Sequence, residues 1–242
     1  MFRRRSVREA AQYGISATLL IACLGAGAPA ARAEETLITI TTGSGAFAQG
    51  FYNSAIRDNV VVDVDSESSS VLQNSILGTR GIVQFNQDSG IGTNQANLVI
   101  ISVAAGATNP VPMASFHGHI ELSGNTVTLA NVTRTNVMQN ILDGAVGIVQ
   151  INQNTGNLNT NLNALAIAIG LGQGNAVVAL GDGHLSVTST NNQFNINGPV
   201  TLNTVVSGIS NVSGIGQINL TNGDGNIAHN TMTISVNFMT IQ

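Results

Sequence analysis

Apolar and polar side chains alternate along three stretches of the chain, and a period of two predicts β-strands rather than helices. In the first stretch Ile82, Gln84 and Asn86 share one face while Val83, Phe85 and Gln87 share the other. The second repeats the arrangement, with Ile148, Gln150 and Asn152 against Val149, Ile151 and Gln153. Amides therefore collect on one face. A second strand follows each of these, placing Val99/Ile101/Val103, Leu165/Ile167/Ile169 and Met232/Ile234/Val236 on a face expected to be buried. Leu98/Ile100/Ser102, Ala164/Ala166/Ala168 and Thr231/Thr233/Ser235 fall opposite. Between the strands stand Asp88-Ser89-Gly90, Asn154-Thr155-Gly156 and Asn222-Gly223-Asp224-Gly225, residues that accept the positive φ of a tight turn.

The stretches are copies of one another. GIVQFNQDSGIGTNQANLVIISV from Gly81, GIVQINQNTGNLNTNLNALAIAI from Gly147 and GIGQINLTNGDGNIAHNTMTISV from Gly214 align without a gap, starting 66 and 67 residues apart. They agree at Gln84/Gln150/Gln217, Asn86/Asn152/Asn219, Gly90/Gly156/Gly223 and Asn97/Asn163/Asn230. Upstream, Val71-Leu72-Gln73-Asn74 matches Val137-Met138-Gln139-Asn140 at the same offset, so each unit holds several strands. A fixed period of this kind predicts a stacked array. The expected fold is all-β, a β-solenoid or stacked β-arches, with three units of about 66 residues at about 51–117, 118–182 and 183–242. A Gly-rich segment, 34–50, precedes them.

Stacking explains why amides recur at fixed places. Equivalent parallel strands lie about 4.8 Å apart, so each Gln or Asn can donate to one copy and accept from the next. Gln84, Asn86, Asn97, Gln150, Asn152, Asn163, Gln217, Asn219 and Asn230 are the expected ladder, and Gly90, Gly156 and Gly223 the expected turn glycines. Three units leave two open edges, which proteins ordinarily block with Lys, Pro or bulges. The chain has no lysine and four prolines.

The first 33 residues read as an export leader: Arg3, Arg4, Arg5 and Arg8, then an apolar and small-residue segment, then Ala31-Arg32-Ala33 as the cleavage site. A lipoprotein anchor at Cys23, within Leu20-Ile21-Ala22-Cys23, is the competing reading. Without the leader, Arg57, Arg80 and Arg134 face eleven acids, a balance of 3 − 11 = −8. That charge excludes a phosphate-neutralising surface, so no nucleic-acid partner is expected. No stretch after the leader reaches the about 20 apolar residues of a membrane helix. Charged residues make up only 8% of the chain, which favours association over solubility.

Candidate chemistry is sparse. His117 and His119 would share a strand face at a metal-binding spacing but lack a third ligand nearby in sequence, and His184 matches His119 in the repeat. Asp63, Asp65 and Glu67 line one strand face, where clustered carboxylates suit calcium; a solvated acidic face is the plainer account. No Gly-x-Ser-x-Gly elbow or other activated nucleophile is present. The chain is expected to be no enzyme and to need no metal or cofactor.

At Gly81 to Asn97 and Gly147 to Asn163, with their Gly-Ile-x-Gln-x-Asn pattern, and at the Ala/Ile-rich strand Ala164 to Ile169, the chain resembles the bacterial functional-amyloid subunits, the curlins and Fap fibre proteins. The resemblance implies secretion through an outer-membrane channel and self-assembly into cross-β fibres at the cell surface. It also implies a second fibre subunit or nucleator as partner, and a role in biofilm matrix or attachment. A monomeric β-solenoid adhesin or carbohydrate-binding protein is the alternative, with a β-helical polysaccharide enzyme or an ice-binding solenoid further off.

Overall fold

The computed structural model describes residues 16–24, 31–42, 45–108, 110–173, 179–180 and 184–239. The chain is an all-β solenoid of three coils, each built from five strands. The first coil holds β3 (Gly45–Arg57), β4 (Val60–Val64), β5 (Glu67–Gln73), β6 (Arg80–Ser89) and β7 (Asn94–Thr108). The second holds β8 (Val111–Ser123), β9 (Thr126–Ala130), β10 (Val132–Ile141), β11 (Val146–Thr155) and β12 (Thr160–Gln173). The third holds β13 (Ala179–Leu180), β14 (His184–Thr190), β15 (Gln193–Ile196), β16 (Val200–Ile209), β17 (Ser213–Asn222) and β18 (Ile227–Met239), with β13 and β14 together in the first place.

Equivalent strands pair in parallel, giving five stacks along the solenoid axis. Register is strict: Gly147 pairs with Gly81 and Gly214, Gln150 with Gln84 and Gln217, Asn163 with Asn97 and Asn230. A one-residue slip would turn every amide out of its column and an apolar side chain in, so alternation and register enforce each other. A cyclic repeat has no privileged start. Strand pairing lets the coils be counted from Gly45 and Val111, a few residues before Phe51 and Gly118.

Within a coil the strands lie in four layers, because the β6–β7 arch is nested inside the turn made by β3, β4 and β5. Leu98, Ile100, Ala164, Ala166 and Ala168 of β7 and β12 pack on Ala48, Ala114, Phe116 and Ile120 of β3 and β8. On the far side of the arch, Val83, Phe85, Val149 and Ile151 pack on Leu72 and Met138 of β5 and β10. At the corner formed by β4 and β9, Leu158 from the tip of the arch meets Ile56, Val61, Leu122, Val127, Leu129 and Val132. Leu158 adopts φ 55°, a conformation its side chain disfavours, and in return is fully withdrawn into this cluster.

β7 and β12 are thus covered on both faces. Alternation alone favours the Val99/Ile101/Val103 face as the buried one, but the opposite face supplies Leu98 and Ile100 to the core, while Val99 and Leu165 fill the arch interior. An inner layer of a four-layer coil has no solvent side, so polar and apolar residues both become interior.

Before the first coil, β1 (Ser16–Leu24) pairs antiparallel with β2 (Ala31–Thr42), and β2 pairs parallel with β7, Glu34 standing opposite Asn97. The arginine-rich start of the expected leader lies outside the described residues.

The amide ladder as the candidate functional site

The expected ladder residues meet inside the arch. Gln84, Gln150 and Gln217 stand on β6, β11 and β17; Asn86, Asn152 and Asn219 stand two residues on; Asn97, Asn163 and Asn230 face them from β7, β12 and β18. Each column is hydrogen-bonded from coil to coil. Asn152 Nδ2 donates to Asn86 Oδ1 at 2.9 Å, and Asn219 Nδ2 to Asn152 Oδ1 at 3.1 Å. Asn163 donates to Asn97 at 2.9 Å and Asn230 to Asn163 at 3.0 Å. The glutamines run the other way, Gln84 Nε2 to Gln150 Oε1 at 3.0 Å and Gln150 Nε2 to Gln217 Oε1 at 2.7 Å.

The columns are also tied across the arch. Asn97, Asn163 and Asn230 donate to Asn86, Asn152 and Asn219 at 2.8, 3.0 and 2.8 Å. Spare amide protons reach main-chain carbonyls, as Asn152 does to Ala96 and Gln150 to Leu98. A buried amide left unpaired costs about 1–3 kcal/mol, so each rung that finds its partners avoids that penalty. Gln150, Asn152 and Asn163 of the middle coil are 0% exposed, whereas Gln84 and Asn86 in the first coil are only half-buried.

The glycines serve the same stacking. A Cβ on Gly90 would fall 1.8 Å from the Gly156 carbonyl oxygen, and one on Gly156 2.0 Å from that of Gly223. Gly156 and Gly223 also carry φ of 135° and 118°, as a turn glycine is expected to. Gly90 has no positive φ, and close approach of the next coil is its whole reason.

Three features escape the sequence pattern. Asn59, Asn125 and Asn192 form a second ladder at the β3–β4 corner, with Nδ2 to Oδ1 distances of 2.9 Å in both steps. Their offsets of 66 and 67 are those of the repeat, but they lie outside its best-matched stretch. Asp88, Asn154 and Thr221 form a third column, Asn154 donating to Asp88 at 2.6 Å and Thr221 to Asn154 at 2.7 Å. Finally, Arg134 is 1% exposed and donates to Asp63 at 2.8 Å and to Asp224 at 2.9 Å, so one cation of the middle coil clips acids of the first and third. Burial pushes the Asp224 carboxyl above the usual range, against the opposing pull of Arg134. No periodicity announces Arg134, because Ser68 and Leu202 occupy its place in the other coils.

The other candidate residues are accounted for separately. Asp63 is held by Arg134, Asp65 sits in a turn at φ 51° accepting from Asn131, and Glu67 is exposed, so the three acids do not converge. His117 stacks on Phe51 at 5.8 Å, and His119 approaches Glu121, which is ion-paired with Arg57. His184 pairs in register with His117 rather than with His119, because the third coil is offset by 67 residues here, not 65. Among the described residues no three His, Cys, Asp or Glu side chains come together as a metal site. No helix of the described residues is long and apolar enough to cross a membrane.

No curated protein and no solved structure matches the chain. Its sequence does match the model of the functional amyloid protein FapB/FapC family over residues 52–237, which runs from β3 to β18 and takes in every rung of the amide ladder. By that match, which covers well over half of its length, the chain belongs to the functional amyloid FapB/FapC family.

Proposed function

We propose that this protein is exported and polymerises outside the cell, forming or nucleating a homopolymeric cross-β fibre for biofilm matrix or surface attachment. The observation that carries this is the continuity of the amide columns through all three coils, with no strand among the described residues covering the outer edge of the last one. The edge strands β15 and β16 are almost wholly exposed, and Leu202, Val205, Val206 and Ile209 of β16 are 43–52% exposed. Unpaired β edges with apolar side chains are templates for further strands.

The role is structural rather than catalytic. Export is supported by the leader read from residues 1–33, with cleavage after Ala33; such cleavage would remove β1 and the first three residues of β2. An outer-membrane channel and a second fibre subunit are the partners this route calls for. Purified chain starting at Glu34 is expected to bind thioflavin, to give fibre diffraction at about 4.7 Å, and to have its lag phase abolished by its own fragments. A persistently soluble monomer would overturn the proposal and favour an adhesin.

A further inference from the structure

Resting on that homopolymer reading, we infer that growth is polar and locked to one register, the first-coil edge of one copy receiving the third-coil edge of another. The first observation is an unpaired donor. In the second and third coils Asn152 and Asn219 donate to the coil before, to Asn86 Oδ1 and Asn152 Oδ1. Asn86 occupies the same place in the first coil, and its Nδ2 is shielded from solvent with no partner. What would satisfy it is an Asn Oδ1 in a preceding coil. The open face of the third coil carries that group on Asn219 and Asn230, in the register that already joins Asn219 to Asn152.

The second observation is steric. A Cβ on Gly147 or Gly214 would strike the preceding glycine carbonyl at 2.1 Å, but one on Gly81 would meet nothing within 4 Å. The glycine column is prepared for one more coil on the first-coil side. On the other side, a Cβ on Gly90 or Gly156 points at the following coil, and one on Gly223 meets nothing nearer than 3.6 Å. The two faces are therefore complementary and unlike. Joining two first-coil faces would oppose Asn86 donors to each other and make the pairing antiparallel, losing every column. A heterologous contact between unlike faces does not close on itself and gives an open fibre.

One strand stands in the way. β2 occupies the free edge of β7, with Ala33 opposite Ala96 and Glu34 opposite Asn97. An incoming β18 takes those places with His229 and Asn230, as it does on β12. Glu34 stands at the register position where the column would call for an Asn. Displacement of β2 is part of each addition step.

One-ended variants test this. Main-chain N–H groups alternate in direction: Thr133 N–H bonds back to the Ser66 carbonyl, which turns the Ser69 N–H to the open first-coil side. Ser213 N–H bonds back to Ala145 and Gly223 N–H to Thr155, which turns the Gly216 N–H to the open third-coil side. Proline is tolerated at such edge positions yet forbids a further strand. Ser69→Pro and Gly216→Pro should each stay monomeric alone, cap opposite ends of wild-type seeds with an about tenfold loss of elongation at that end, and form a heterodimer that stops when mixed. Val71→Pro and Leu202→Pro, the corresponding outward positions on β5 and β16, form a second pair should one of the first fail to fold. Self-dimerisation of either variant, capping of the same end by both, or a mixture that stays monomeric while wild type polymerises would overturn polarity. Failure of wild type to polymerise would overturn the homopolymer reading instead.

Discussion

Asn152 donates its Nδ2 to Asn86 Oδ1 at 2.9 Å, while the same nitrogen of Asn86 is buried without a partner. One residue type at one place in the repeat is thus complete in the middle coil and incomplete at the edge. Asn152→Leu removes donations to Asn86, Asn97 and Ala96 and acceptance from Asn163 and Asn219. At about 1–3 kcal/mol for a buried partner left unpaired, it should destabilise the folded chain by about 3 kcal/mol or more. Asn86→Leu should cost about half as much and slow fibre growth disproportionately. Denaturant midpoints set beside seeded growth rates check both.

Glycine positions separate coil stacking from backbone strain. Gly81 and Gly147 both have positive φ, 102° and 125°, but only at Gly147 does a Cβ collide with the coil before. Gly81→Ala should cost about 1–2 kcal/mol in the folded chain from conformation alone. Gly147→Ala should cost clearly more, with loss of the β6–β11 pairing seen as faster amide exchange along both strands.

Acid should act through Asp224. Its folded-state pKa is raised, chiefly by burial, above the ordinary 3.8. Between those two values the folded chain binds more protons than the unfolded one, so the contribution of this group rises as pH falls through the raised pKa and levels off below about 3.8. Asp224→Asn should flatten that part of the stability profile, measured as denaturant midpoint from neutral pH downward.

Arg134→Met is the opposite case. It leaves Asp63 and Asp224 facing one another without their shared cation, and breaking such a buried pair costs about 3–5 kcal/mol. Adding Asp63→Asn and Asp224→Asn should restore much of the loss. A triple variant no more stable than Arg134→Met would contradict this account.

The proposed cleavage after Ala33 bears on growth through β2. The precursor keeps β1 paired along β2, whereas a chain starting at Glu34 has lost β1 entirely. Seeded elongation should therefore be several-fold slower for the precursor, the extra pairing making β2 harder to displace from β7. Equal rates would show that β2 does not guard that edge.

Much of this was legible in the residues because stacking copies a side chain onto itself. Period-two alternation placed Gln84 beside Asn86 on one face, and the offsets of 66 and 67 named the partners, so the main columns follow from alignment alone. The Asn59, Asn125 and Asn192 ladder obeys the same offsets, but little around it repeats, so alignment does not single it out. Arg134 was beyond reach: its partners, Asp63 and Asp224, come from different strands of different coils, and a contact made once leaves no period.

By itself, then, the chain determined what stacks on what, since in-register parallel pairing is a one-dimensional relation that identical amides and glycines encode directly. It did not determine how each coil folds across its own plane. Nesting the β6–β7 arch within β3, β4 and β5 depends on shape-fitting among non-repeated apolar residues such as Leu158, Phe116 and Met138. Only that packing buried both faces of β7, withdrew Arg134 from water, and left Asn86 as an unpaired donor at an open edge.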